Sequence, residues 1–356
     1  MPRKESILST RVFTVVVAIL LFYGCVHTTP FRDSRGEIVP GSIATMETVS
    51  IGGIPQQLWF RGIDTRNPAL LILHGGPGVS EAALYRSFNS ELERHFLVVN
   101  WEQRGTGRSF HRDISAKSMT IAQFLQDLDD VVELIRKRFD KENVVLLGDS
   151  WGTALGTLYA FHHPEKVAAY VGIGQVTDMP KGERLSYDFG LTQAMARGNE
   201  KAVKELRAIG PPPHTVDEML ISRDWVERFG GAFHADLSTG KLIWAALNTD
   251  EANLVDLILF GRSNRFSLEH LWPQFSQLDL TVYKVFKTPV VFLLGRYDRQ
   301  VPATLAASYF EAIEAPHKRL IWFEQSAHHP PFEEIEKFNK VMIEEVLPVV
   351  RGGQDM

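Results

Sequence analysis

Val144-Val145-Leu146-Leu147-Gly148-Asp149-Ser150-Trp151-Gly152 decides how this chain is read. Four consecutive apolar residues closed by a glycine suit a strand buried on both faces. Residues 153–162 then read as a helix. A serine held between a strand and a helix sits in a sharp turn, so the positions two residues either side must lack bulk. Gly148 and Gly152 occupy those positions, and Gly156 keeps the following helix close to the sheet. G-x-S-x-G alone recurs by chance; its strand–turn–helix setting gives it weight.

Working outward, the same grammar repeats. Leu70-Leu71-Ile72-Leu73 runs into His74-Gly75-Gly76-Pro77-Gly78, and Phe96-Leu97-Val98-Val99 leads to Trp101-Glu102-Gln103-Arg104-Gly105. Val290-Val291-Phe292-Leu293-Leu294 leads to Gly295-Arg296-Tyr297-Asp298, and Leu320-Ile321-Trp322-Phe323 is a further short run. Residues 46–51 and 57–60 read as two strands around Gly52-Gly53. Residues 120–138 read as a helix, with Ile121, Phe124, Leu125, Leu128, Val131, Val132 and Ile135 at helical spacing and Thr120 placed to cap it. Strand alternating with helix predicts a mainly parallel central sheet flanked by helices. Ligands of such sheets bind beyond the carboxyl ends of the strands, where each of these motifs lies. Residues 178–285 break the alternation with helical patterns and Pro211-Pro212-Pro213, which predicts an inserted helical cap. The expected fold class is the α/β-hydrolase fold. Its core spans residues 45–177 and 286–356, split by the cap over 178–285.

A serine hydroxyl needs a base to take its proton, and the base needs an orienting carboxylate. The expected chain order is serine, acid, histidine. Asp298 follows a core strand 148 residues after Ser150, and His328 lies 30 residues further on. His329 competes with His328. Ala327 leaves room for the loop to approach the serine, and the prolines after His329 begin a helix, so His328 is the expected base. An oxyanion requires two preplaced backbone donors: the N–H of Trp151, and one from the loop 74–78.

HGGPG, WEQRGTGRS and GDSWG together resemble the prolyl aminopeptidases (proline iminopeptidases), whose pattern is HGGPG, W-D-Q-R-G and G-G-S-W-G. The GRYD segment and the small residue before His328 continue the likeness over residues 45–175 and from 289 onward. The resemblance implies Gly76 as the second oxyanion donor and a cap glutamate that holds the substrate's amino terminus. Glu183, Glu205, Glu218, Glu227 and Glu251 are all available; Glu227, near Trp225, is the first to test. Asp149 stands where the family has glycine, Glu102 where it has aspartate, and the cap does not align. The expected activity is an acyl-enzyme serine hydrolase, first an aminopeptidase releasing N-terminal proline or another small residue. A carboxylesterase or lipase-like enzyme at a membrane surface is the alternative, and a non-catalytic small-molecule binding protein a third reading.

The chain of 356 residues is 44% hydrophobic and 23% charged, which suffices for a large core. Its formal net charge of −5 and lack of basic blocks give nucleic acid no electrostatic footing. No zinc spacing, P-loop or dinucleotide fingerprint is present, so neither metal nor cofactor is expected. At the N-terminus, Arg3, Lys4 and Arg11 precede a twelve-residue uncharged, mostly apolar run over 12–23. That suits a signal peptide and falls short of the ~20 residues that span a bilayer. The run ends at Gly24-Cys25, the only cysteine. Gly24-Cys25 after the apolar run resembles a bacterial lipoprotein cleavage site, which implies that residues 1–25 are a lipoprotein-type leader with Cys25 lipidated; an uncleaved anchor helix is the alternative, and in both readings residues 26–44 are a linker and the protein is exported and tethered to a membrane.

Overall fold

The computed structural model describes residues 27–234 and 236–352; the leader and Cys25 lie outside them. Eight strands form one sheet in the order β1-β2-β4-β3-β5-β6-β7-β8: β1 (Ile43–Ile51), β2 (Ile54–Gly62), β3 (Ala69–Leu73), β4 (Leu97–Glu102), β5 (Val144–Asp149), β6 (Val167–Ile173), β7 (Val290–Gly295) and β8 (Lys318–Phe323). β1 and β2 pair antiparallel, as do β2 and β4, and the remaining pairs are parallel.

The apolar runs are continuous because both faces of the sheet are covered. Leu71, Leu73, Val144 and Leu146 join one core cluster, while Leu70, Ile72, Val145 and Leu147 join the other. The helices among the described residues are α1 (Ala82–Phe88), α2 (Ile121–Phe139), α3 (Trp151–His162), α4 (Met179–Ala196), α5 (Glu200–Ile209), α6 (Val216–Arg228), α7 (Thr239–Leu247), α8 (Leu254–Phe275), α9 (Ala303–Ala312), α10 (Pro330–Glu333), α11 (Ile335–Val341) and α12 (Leu347–Gly352). In α2 the hydroxyl of Thr120 accepts the N–H of Gln123 at 3.1 Å. The predicted apolar stripe is its buried face, with Phe124, Leu128, Val131, Val132 and Ile135 inside. None of these helices is long and apolar enough to cross a membrane.

β6 is a strand that the sequence pattern does not announce. Ala168, Ala169 and Gly172 carry little strand propensity. Pairing with β5 and β7 nevertheless makes β6 a central strand.

Helices α4 to α8 lie between β6 and β7. Tyr187, Ala194, Ala202, Leu206, Trp225 and Phe229 form a small core of their own. α8 docks most extensively: Leu268, Leu271, Trp272 and Phe275 join the main core, with Met179 of α4 and Met219 of α6. Arg108 grips Asp256 of α8 through two bonds of 2.8 and 2.9 Å.

Candidate active site

Ser150 sits between β5 and α3 with φ 50° and ψ −114°, a left-handed backbone rarely adopted by non-glycine residues. The turn is tight enough that a β-carbon on Gly152 would lie 1.8 Å from the Leu73 carbonyl oxygen, and one on Gly148 would lie 2.7 Å from that of Gly152. Glycine is thus required on both sides by sterics. The Ser150 N–H donates to the Ile173 carbonyl at 2.9 Å, so the end of β6 braces the elbow.

Asp298 follows β7, buried. Its Oδ1 accepts the N–H groups of Gln300 and Val301, both at 2.9 Å, and its Oδ2 meets His328 Nδ1 at 2.8 Å. With Nδ1–H directed at a carboxylate, Nε2 is left as the acceptor nitrogen. That Nε2 is buried without a protein partner. Ser150 and His328 line one cavity of about 330 Å³, together with Gly75, Gly76, Glu81 and Asp149.

His329 has a different setting. Its ring stacks on Phe233 at 4.9 Å, and burial holds its imidazole well below the usual histidine range. The loop carrying both histidines is fixed by Glu333, whose carboxylate accepts the N–H groups of Ala327 at 2.9 Å and His329 at 3.1 Å. Burial pushes the Glu333 carboxyl up to about 7.

The loop 74–78 explains the co-occurring motifs. Gln103 N–H donates to His74 Nε2 at 3.1 Å, and the Gln103 amide donates to the His74 carbonyl at 3.2 Å. Trp151 Nε1–H donates to Gln103 Oε1 at 2.8 Å. One residue from each of three motifs thereby locks the expected oxyanion loop to the elbow. The N–H of Gly75 is taken by Glu81 at 3.2 Å, which leaves that of Gly76 as the next donor along the loop. From the cap side, Asn264 of α8 donates to the Pro77 carbonyl at 2.8 Å. Trp151 begins α3, where the first N–H groups of a helix have no intrahelical acceptor. Glu102 accepts from the Ser80 hydroxyl at 2.9 Å and the Arg108 N–H at 2.6 Å, and burial raises its carboxyl to about 7.

Of the five cap glutamates, Glu227 is the one on the wall of the Ser150 cavity; it is exposed and accepts the Thr239 hydroxyl at 2.9 Å. Glu183 is ion-paired with Arg223, and Glu205 accepts the Trp225 indole N–H at 2.9 Å. Glu218 completes the capping box of α6, and Glu251 pairs with Arg86 at 3.2 Å and Arg61 at 3.6 Å. Sequence reasoning missed Glu81, whose donor atom lies within 4.8 Å of those of Asp149 and His329, an arrangement with the donor types of a metal site. The departure of Asp149 from the family pattern was the signal pointing there.

Residues 68–335 match the family described as alpha/beta hydrolase fold, and the chain belongs to that family. It is a hydrolase whose relatives include aminopeptidases. It is 35% identical over 302 residues to the "Probable aminopeptidase YbaC" of Bacillus subtilis (strain 168), covering 83% of this chain and 94% of that one. It is 25% identical over 287 residues to the proline iminopeptidase of Heyndrickxia coagulans, covering 77% and 88%. The crystal structure of the proline iminopeptidase of Mycobacterium smegmatis superposes with a TM-score of 0.62 at 15% identity, covering 87% and 100%, which speaks for the fold.

Proposed function

We propose that this chain is a serine hydrolase working through an acyl-enzyme, and that it removes an N-terminal proline or another small residue from peptides. The observation that carries the mechanism is the His328–Asp298 bond of 2.8 Å, with His328 on the same cavity as Ser150 and its left-handed elbow. In this reading His328 Nε2 takes the Ser150 proton as Oγ attacks the scissile carbonyl. The oxyanion rests on the N–H groups of Trp151 and Gly76. His328 returns the proton to the leaving amine, and water then releases the acyl group by the same base. Similarity to aminopeptidases supports the substrate class. The cavity volume fits a small acyl group with part of its leaving group.

An adjoining cavity of about 180 Å³ favours a second reading. Leu84, Leu242, Ile243, Ala246, Leu247 and Phe260 give it an apolar wall suited to the acyl chain of an ester. The two readings separate on a substrate panel. Prolyl- and alanyl-naphthylamides should be cleaved, and their N-acetylated forms should be rejected. Equal cleavage of free and blocked compounds, or cleavage of p-nitrophenyl esters alone, transfers the assignment to a carboxylesterase. Absence of all turnover leaves the binding-protein reading.

We also propose that Cys25 is lipidated and tethers the enzyme, exported, at a membrane. The path of the first described residues favours this. His27 N–H donates to the Asp250 carbonyl at 3.2 Å, and Thr28 to Glu251 at 2.8 Å, beside the turn between α7 and α8. On those helices Trp244, Leu254, Leu257 and Ile258 are exposed, so His27 and Thr28 lie beside elements with an exposed apolar surface. Palmitate labelling of expressing bacteria should be lost in Cys25→Ser. Unchanged labelling, or a mature N-terminus elsewhere, removes the proposal.

A further inference from the structure

Asp149 is fully buried, and neither of its carboxylate oxygens has a hydrogen-bond partner. Glu81, 4% exposed at the start of α1, uses one oxygen to hold the Gly75 N–H. The two carboxylates stand within 4.8 Å of each other on the wall of the Ser150 cavity. One helical turn beyond Glu81, the Tyr85 hydroxyl is buried without a partner as well, and burial, with the charges of Asp149 and Glu81 adding to it, tightens its hold on its proton. Two buried acids this close are costly unless a proton or a cation stands with them. Burial pushes both carboxyls upward, and for Asp149 the charges of Glu81 and Asp298 add to it, so without a cation the pair retains a proton.

The place of the pair identifies the cation. A carbon built on Gly75 would lie 3.3 Å from Glu81 Oε1 and 3.4 Å from Ser150 Cβ, so one carbon can touch both the Glu81 carboxylate and the side chain that carries the nucleophile. In a peptide the α-amino nitrogen is two bonds, about 2.5 Å, from the carbonyl carbon under attack. We infer that Asp149 and Glu81 seat the protonated amino group of the substrate, beside Ser150 in the core of the protein rather than in its cap. The inference rests on the aminopeptidase reading and names the residues that enforce it. On binding, the ammonium replaces the proton held between the carboxylates, and that proton leaves to water. The second bond of Glu81, to Gly75, connects the seat to the oxyanion loop, so an amine in place and a formed loop support one another.

The test uses the full chain with pyrrolidine as probe and N-acetylpyrrolidine as the uncharged control, followed by ligand-observed NMR. Pyrrolidine should bind and its acetylated form should not. Asp149→Asn and Glu81→Gln should each weaken pyrrolidine by ~30-fold or more. The same variants should lower kcat/KM for alanyl-p-nitroanilide relative to p-nitrophenyl butyrate by about 100-fold, as expected when one partner of a buried charged pair is removed. Each variant is first matched to the parent by thermal unfolding, and the parent's discrimination between the two probes stands independently of any variant. The inference fails if the parent binds neither probe, if amide and ester rates fall in proportion, or if the effect follows Glu227→Gln instead. It also fails if Zn²⁺ binding is lost in the variants while pyrrolidine binding persists, which marks a metal site. Ester cleavage without amide cleavage in the parent defeats the aminopeptidase reading, and the pyrrolidine measurement still judges the pair.

Discussion

Replacing Ser150 with alanine should remove at least ~10⁴-fold of kcat and leave the thermal unfolding temperature close to that of the parent. The elbow is held through the backbone of Ser150: its N–H bonds Ile173, and its carbonyl accepts both the N–H and the hydroxyl of Thr153, at 2.9 and 2.6 Å. Serine and alanine carry the same β-carbon, so the strain of φ 50° is common to both. The hydroxyl therefore acts in chemistry and adds little to the fold. Residual turnover would come from the oxyanion donors of Trp151 and Gly76 acting on a bound substrate. A fluorophosphonate probe should label the parent at Ser150, located by mass spectrometry, and should not label the variant. Labelling at another serine, or full activity in the variant, would sink the nucleophile.

The elements that place this site were legible because each is a local pattern. A strand buried on both faces is written as an unbroken apolar run, and the reactive group follows within a few residues. That is why Ser150 after β5, Asp298 after β7 and His328 after β8 stood out as candidates; the structure puts Ser150 and His328 on one cavity beyond the carboxyl ends of the strands, with Asp298 hydrogen-bonded to His328. β6 escaped because alanine and glycine dilute the run that marks a strand; packing between β5 and β7, rather than propensity, makes it one. The supporting shell was hidden for a different reason. Gln103 meets His74 across 29 residues and Trp151 across 48, and nothing in the local pattern of either segment announces the contact. Glu333 looks like an ordinary first-turn acid of α10, yet it fixes the histidine loop. The cap glutamates could not be ranked from sequence because their roles are set by partners: capping for Glu218, ion pairing for Glu183 and Glu251, and the cavity wall for Glu227.

The two adjacent histidines should separate cleanly. His328→Ala is expected to lose ~10³-fold or more in kcat, and His329→Ala far less. Only His328 has a carboxylate on Nδ1 and a bare Nε2 in the cavity, the two requirements of a base that takes a proton from a serine. His329 is stacked between Phe233 and Phe332, with no carboxylate hydrogen-bonded to its ring. The reverse pattern would move the base by one residue. Asp298→Asn sharpens the test. The Oδ1 position of Asp298 is fixed by two backbone N–H groups, so the asparagine must place its carbonyl oxygen there. Its NH₂ then faces His328 Nδ1 and presents a donor to a donor. The imidazole escapes by moving its proton to Nε2, which removes the lone pair that would accept from Ser150. The variant should fold, retain the shape of the site, and lose ~10³–10⁴-fold in kcat through the wrong tautomer. Activity near the parent value would mean that Asp298 packs the loop without orienting the base.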